Sequence, residues 1–180
     1  QEYMSLLVSN DLDRMILVGG QNAIELTIRW GQAATANGLI DAWLDAAVSQ
    51  NDVESVLDFA ALNVRNKRLW TSVKLIDRLM ETSALSVSQR FVAQSLRCVA
   101  LAQLREMVTD PGNIKTELAL AEASWVSSQV SADSLESDAR QALLEAKQLF
   151  SGLDQPTREH RTLRAQLEKI RLDTHKTAKD

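Results

Sequence analysis

The sequence predicts an all-α domain built from antiparallel helical hairpins, stacked as a bundle or as a short α-solenoid. Apolar residues recur three and four positions apart through most of the chain, which is the spacing of amphipathic helices. Two prolines and six glycines are spread over its 180 residues, so long stretches lack helix breakers. Short connectors between consecutive helices favour antiparallel neighbours. Residues 1–173 are therefore predicted to form a single helical domain, followed by a polar tail over 174–180.

The first half of the chain is predicted to contain five helices separated by polar stops. Their apolar residues fall over 4–16, 24–36, 39–47, 53–61 and 69–80. Gly19-Gly20 ends the first helix, and Asn37-Gly38 is a helix stop for the second. Asp52 has the position of an N-cap for the fourth helix. A basic turn, Arg65-Asn66-Lys67-Arg68, separates that helix from the fifth.

The second half is predicted to contain four further helices. They cover about 86–108, 115–130, 135–150 and 156–172. Asp110-Pro111-Gly112-Asn113 is the clearest loop, because Pro111 cannot continue a helix and Gly112 tolerates a positive φ. The break over 131–133 offers Asp133 or Ser134 as the cap of the next helix. Gly152 ends that helix, and Pro156 suits the first turn of the last one.

Composition and charge narrow the class of protein. The apolar fraction of 45% and charged fraction of 24% are typical of a folded globular domain. The formal net charge of −4 argues against a nucleic-acid-binding domain, which is usually basic. No apolar run reaches the length of a membrane span. Cys98 has no second cysteine to pair with, which favours the reducing cytosol or nucleus, and we interpret it as a small buried hydrophobe.

No combination of residues in the sequence predicts an active site. Gly19-Gly20 lacks the following lysine and the preceding strand of a phosphate-binding loop. Asp41 and Asp45 share one helix face, but without a metal motif we interpret them as solvated surface. His160 and His175 are too far apart to share one helical turn as metal ligands. We therefore predict that the chain is not an enzyme and binds no cofactor.

The four tryptophans carry more information than the carboxylates. Most tryptophans pack in cores, but this residue also dominates the hot spots of protein interfaces. Trp30, Trp43 and Trp125 are interpreted as core residues. Trp70 is the interface candidate, because it follows a basic turn at a helix start, where a large ring can stay partly exposed.

Basic residues cluster twice in the chain. The first cluster contains Arg65, Lys67, Arg68, Lys74 and Arg78, and the second contains Arg158, Arg161, Arg164, Lys169, Arg171, Lys176 and Lys179. A charge run is most often a solvated helix face. The functional alternative is a footprint for an acidic polymer, such as the acidic tails of microtubules or a nucleic acid.

The order of several motifs resembles the C-terminal helical domain of the regulatory subunit of katanin. The matching stretches are Ile28-Arg29-Trp30, Asn37-Gly38-Leu39-Ile40, Gln50-Asn51-Asp52-Val53-Glu54-Ser55-Val56-Leu57-Asp58 and Leu69-Trp70. They correspond to a tryptophan near a helix end, a Gly-Asp turn, a Val-rich helix opened by Asp, and a Leu-Trp pair opening the next helix. Asn37-Gly38-Leu39 replaces the Gly-Asp turn here, and Ser83-Ala84-Leu85-Ser86 lacks the tyrosine found at the following junction in the family.

The resemblance implies a noncatalytic partner of a microtubule-severing ATPase. In that family, the domain binds the N-terminal helical bundle of the katanin ATPase subunit and contributes to microtubule binding. It implies a cytoplasmic, cytoskeletal location at the spindle pole, centrosome or basal body. On this basis we assign partner contacts to Leu69, Trp70 and Val73, and microtubule contacts to Arg65, Lys67, Arg68 and Arg78. The alternative is a generic helical-repeat adaptor that binds a different peptide or protein; neither hypothesis involves a membrane or nucleic acid.

Overall fold

The computed structural model describes the chain over 38–39, 41–43, 45–47, 52–82, 84–114, 122–124 and 126–170. Five α-helices have defined bounds in this part: α1 Val53–Arg65, α2 Leu69–Thr82, α3 Val87–Thr109, α4 Ala132–Ser151 and α5 Arg158–Leu167. A 3-10 turn, Pro111–Asn113, follows α3. The described residues contain helices and no strand. The predicted all-α fold class is confirmed.

Helix α3 lies at the centre of the described part of the molecule, because it packs against α1, α2, α4 and α5. Helices α1 and α3 run parallel, since Glu54 bonds to Gln89 at one end and Lys67 bonds to Gln103 at the other. Helices α3 and α4 run antiparallel, and Arg105 pairs with Glu136 at 3.1 Å near the start of α4. Consecutive helices therefore pack as hairpins around one central helix, which is a bundle.

Local capping explains where the helices begin. Asp52 caps α1 as predicted, since its Oδ1 accepts the N–H of Ser55 at 3.2 Å. Ser86 and Gln89 form a capping box at the start of α3, in which each side chain accepts the backbone N–H of the other residue. Gly152 is the C-cap of α4, also as predicted.

The predicted boundaries of two helices, α4 and α5, were wrong. The cap of α4 is Ser131, whose hydroxyl accepts the N–H of Ser134, and not Asp133 or Ser134. Asp133 lies instead in the first turn, where its negative charge interacts favourably with the positive end of the helix dipole. Helix α5 begins at Arg158 after the cap Thr157, so Pro156 lies outside its first turn. It ends at Leu167 and not at residue 172, because the N–H groups of Lys169 and Ile170 bond to carbonyls three residues back. Predictions for residues 1–37, 115–121 and 171–180, including Trp30, His175 and the tail, lie outside the described residues, as does Trp125.

Aromatic contacts organise the core on both sides of α3. The Trp43 ring is fully buried and meets Phe59 edge-on, with ring centroids 5.0 Å apart. Phe91 of α3 meets both Phe150 and His160 with centroids at 5.4 Å. Burial of the Phe91 ring, which has no solvent exposure, contributes about 1.5–3 kcal/mol relative to an exposed ring. The prediction that Trp43 is a core residue is confirmed.

Cys98 lies on the buried face of α3 with no solvent exposure. Burial raises the pKa of its thiol to about 12, although the charges of Lys147 and Arg97 act in the opposite direction. The thiolate is the reactive form of cysteine. The interpretation of Cys98 as a small buried hydrophobe is therefore confirmed.

Candidate functional site

The turn between α1 and α2 is tight and holds the predicted basic residues. Asn66 ends α1, and the N–H of Arg68 donates to the carbonyl of Asn63 at 2.9 Å. Lys67 has a φ of 60°, the left-handed region that residues other than glycine rarely adopt. Its Nζ reaches across to Gln103 Oε1 on α3, at 2.7 Å. Because the turn is this short, α2 begins at Leu69, the residue directly after Arg68.

The predicted partner-binding residues do not lie together on the surface. Leu69 and Val73 are 0% and 2% exposed and belong to the hydrophobic core. A buried side chain offers no surface to a partner, so in this arrangement these two residues stabilise the fold. Trp70 is partly exposed and packs against the rim of the core. Lys74 Nζ lies 4.7 Å from the Trp70 ring centroid, in the geometry of a cation–π contact.

The predicted microtubule-binding residues divide into three environments. Arg65 and Lys67 are exposed and lie together at the α1–α2 turn. Arg78 is exposed but lies well along α2, about 14 Å from the first residue of that helix, Leu69, at 1.5 Å per residue. It is 4.0 Å from Asp45 and 3.7 Å from Glu81, in exposed pairs that add little stability. Arg68 is 5% exposed, so its assignment to a surface contact does not fit the structure.

Glu122 is the polar residue near the α1–α2 turn that sequence reasoning missed. It lies in a helical stretch over 122–124 and 126–127. Its carboxylate accepts the N–H of Leu69 at 3.1 Å and the N–H of Trp70 at 2.8 Å. Such donors at the start of a helix have no partner within the helix itself. The basic turn supplies no Ser, Thr, Asp or Asn next to Leu69, and that missing cap is the signal that could have indicated an acceptor from elsewhere.

Glu122 is largely buried, and its charge state is set by opposing effects. Burial raises the pKa of the Glu122 carboxyl to about 7. The backbone N–H groups of Trp70, Leu69 and Thr71 and the positive charge of Arg68 act in the opposite direction. Arg68 is therefore buried beside a carboxylate that its charge stabilises, which gives a physical reason for its removal from the surface.

Ser88 and His160 form a contact that resembles a catalytic pair in distance only. Ser88 Oγ lies 2.9 Å from His160 Nε2. The backbone N–H of Thr157 donates to His160 Nδ1 at 3.1 Å. Because Nδ1 accepts that bond, a neutral imidazole carries its proton on Nε2 and donates it to Ser88. A general base must instead take the proton of the nucleophile, so this contact is a structural link between the first turns of α3 and α5.

A cleft of about 790 Å³ lies between α1 and α5, with α3 as its floor. Val92, Leu96 and Val99 line the floor. Leu57, Ala61 and Val64 of α1 form the apolar part of one wall. Leu163 of α5 and Ile170, just after α5, form that of the other. We call this cleft the α1–α3–α5 groove.

The α1 wall of the groove is acidic at one end and basic at the other. Glu54 and Asp58 line the end near Gln89, and Glu54 Oε1 accepts a hydrogen bond from Gln89 Nε2 at 3.0 Å. Arg65 and Lys67 line the end near Gln103. The floor of the groove is apolar, with Val92 partly exposed and Leu96 and Val99 buried, and the two ends of the groove are opposite in charge.

The described residues gather no obvious metal ligands. Among them, no group of three or more His, Cys, Asp or Glu side chains could hold a metal ion. Asp41 and Asp45 are both exposed, which fits their interpretation as solvated surface. Within the described part of the chain, none of the helices combines the length and the apolar character needed to span a bilayer.

Comparison of the chain with protein-family models, with curated proteins and with solved structures finds no match.

Proposed function

We propose that this chain is a noncatalytic interaction domain of the katanin regulatory type. It binds the N-terminal helical bundle of the ATPase subunit and contributes to microtubule binding, and so targets severing activity to the cytoskeleton. The observation that carries the proposal is the partly exposed Trp70 ring in the first turn of α2, with the exposed cation of Lys74 4.7 Å from the ring centroid. Apolar anchors of this kind supply affinity, and nearby charges supply steering.

The structure changes which residues the proposal uses. Trp70 remains as the anchor, whereas Leu69 and Val73 support it from the core. Lys74 covers the ring and borders the same surface. Arg65 and Lys67 remain as the exposed cations of the α1–α2 turn, while Arg68 is buried and Arg78 lies toward the other end of α2.

Analytical ultracentrifugation of the chain with the ATPase subunit's N-terminal bundle tests the partner. We expect a complex at tens of micromolar, weakened at least about tenfold by Trp70→Ala, as for a hot-spot residue. Lys74→Glu tests the same surface by reversing the charge beside Trp70 while the ring itself stays in place. Leu144→Ala changes a residue that is 62% exposed on α4 and is the matched control. The absence of any complex, or equal weakening by Leu144→Ala, contradicts the proposal.

Sedimentation with microtubules across a salt series tests the polymer. We expect binding that falls as salt rises, because exposed charges are screened beyond about 10 Å at 0.1 M salt. The double variant Arg65→Glu/Lys67→Glu should reduce binding more than Arg90→Glu, which changes an exposed cation at the start of α3. Binding that does not respond to salt contradicts a mechanism based on these cations.

The second candidate is a helical adaptor that binds a different partner. The α1–α3–α5 groove favours it, because an adaptor of this kind requires a concave surface that its own described helices leave open. The two candidates share the interaction role and differ in the surface that carries it.

A further inference from the structure

We infer that the α1–α3–α5 groove binds one amphipathic helix of a partner protein, with the cationic end of that helix beside Glu54 and Asp58 and its acidic end beside Arg65 and Lys67. The inference rests on the proposed interaction role and names the ligand chemistry of a second surface. Trp70 does not line this groove. A partner in the groove therefore leaves the Trp70 ring uncovered, although it uses Arg65 and Lys67, the two cations that the proposed function assigns to the microtubule.

The length of the groove matches a short helix. Its floor extends along α3 from Gln89 to Gln103, which is about 21 Å at 1.5 Å per residue. That length accommodates about four turns of a helix lying along α1 and α3. The volume of about 790 Å³ suits the side chains of one helix face and not a whole globular surface.

The apolar surface that the groove exposes is narrow and suits a short apolar stripe, because most of its apolar lining residues are themselves buried, namely Leu57, Val64, Leu96, Val99 and Leu163. Val92, Ala61 and Ile170 are partly exposed and lie at the floor, the α1 wall and the end of the α5 segment. A helix satisfies its own backbone hydrogen bonds, whereas an extended strand needs partners from a sheet edge. Because the walls and floor of this groove are helices, they offer no such edge. Helix-in-groove binding is therefore the mode that the surroundings permit.

The order of charges selects the occupant. Glu54 and Asp58 lie in the first two turns of α1, and Arg65 ends the helix, with Lys67 just beyond. Glu159 lines the groove as well, next to His160, whose contact with Ser88 places it at the acidic end. A uniformly acidic segment is repelled at Glu54 and Asp58, and a uniformly basic one is repelled at Arg65 and Lys67. Only a helix with opposite charges at its two ends is attracted at both.

Three designed peptides test this inference with the full chain. Each has 18 residues and the same leucine stripe at helical spacing, and they differ in charge. The bipolar peptide carries lysines in one terminal turn and glutamates in the other, the acidic peptide carries glutamates at both ends, and the basic peptide carries lysines at both ends. Fluorescence anisotropy of labelled peptides measures Kd. We expect the bipolar peptide to bind the wild-type chain about tenfold more tightly than either of the others.

Charge reversal at each end of the groove should change the preferred peptide. Glu54→Lys/Asp58→Lys makes the α1 wall basic throughout, so this variant should prefer the acidic peptide. Arg65→Glu/Lys67→Glu makes the wall acidic throughout and should prefer the basic peptide. Ala61→Arg fills the groove from α1 and should weaken all three. Leu144→Lys changes an exposed site on α4 and should alter none of them.

The outcomes separate this inference from the proposed function. The substitutions in the groove lie at exposed or partly exposed positions of α1 or the following turn, and circular dichroism melting verifies that each variant folds. If the variants keep the wild-type preference, or no peptide binds while the ATPase bundle still does, the groove inference is overturned and the interaction role stands. If neither the peptides nor the bundle binds, both fail. Self-association of the chain that competes with the bipolar peptide would assign the groove to a second copy and overturn the inference.

Discussion

Replacing Glu122 with Gln should change how the stability of the domain depends on pH. The carboxylate accepts N–H groups at the start of α2 from a largely buried position, and burial raises its pKa to about 7. Gln keeps the shape and carries no charge, but it has one acceptor oxygen, so it keeps one of the two N–H bonds that Oε1 and Oε2 accept separately and loses the other. Because the lost bond does not depend on pH, the pH dependence of the stability difference between the wild type and Glu122→Gln reports the cost of burying the negative charge.

The sign of the effect follows from the direction of the pKa change. Between pH 4.5 and about 7 the folded chain holds a proton on Glu122 that the unfolded chain has lost. Stability then falls as pH rises through this interval. At about 1.4 kcal/mol for each pH unit, the interval gives an upper bound of about 3 kcal/mol, which partial exposure of the side chain reduces.

Urea unfolding of the wild type and of Glu122→Gln measures this pH dependence of the free energy of unfolding. Measurements at roughly pH 5, 6, 7 and 8 cover both sides of the Glu122 pKa of about 7. We expect the free energy of unfolding of the wild type to fall relative to the variant as pH rises, and then to level off. Glu106→Gln, at an exposed position on α3, is the control and should show no such trend. A wild type that gains stability relative to Glu122→Gln with rising pH would refute the reasoning. That result would mean that the N–H bonds and Arg68 lower the pKa of Glu122 by more than burial raises it.

Three further predictions concern the fold. Phe91→Ala should lower the free energy of unfolding by about 3–5 kcal/mol, because it leaves a cavity beside Phe150 at the centre of the bundle; Leu144→Ala should change it by less than about 1 kcal/mol in the same denaturation experiment. Asp52→Ala should cost about 1 kcal/mol, since the start of α1 loses its cap, and Asp52→Asn should restore most of it. The Cys98 thiol should resist Ellman's reagent in the native chain at pH 8 and react once urea unfolds it; rapid reaction of the native chain would contradict its burial.

The features that sequence reasoning recovered depend on neighbours in the chain. The starts of α1 and α3 follow from Asp52 and Ser86, whose side chains bond to N–H groups three residues on. The all-α class follows from apolar spacing, which is equally local. The cap of α4 is Ser131 and not the predicted Asp133 or Ser134. All three side chains can accept a backbone N–H, and local sequence does not show which of them does so.

The features that it missed depend on residues far apart in the chain. The Leu69 N–H bonds to a carboxylate 53 residues away, and nothing near Leu69 indicates which acceptor will arrive. Apolar spacing shows that Leu69 and Val73 are hydrophobic, but not whether a core or a partner covers them. Arg68 looks like its neighbour Lys67 in sequence, and only the position of Glu122 distinguishes a buried cation from an exposed one. The groove forms because α1 and α5 both pack against α3, and the sequence of one helix alone does not show that arrangement.

The central position of α3 has a consequence for how the domain opens. In a linear array of repeats, each unit touches its neighbours, so the ends can open while the middle stays folded. Here α3 contacts the four other numbered helices, so detaching any of them exposes part of the same apolar helix. Amide hydrogen exchange should therefore be slowest along residues 91–104 of α3, at rates that report global unfolding. A protease that must cut within α3 should find few partly opened molecules to act on.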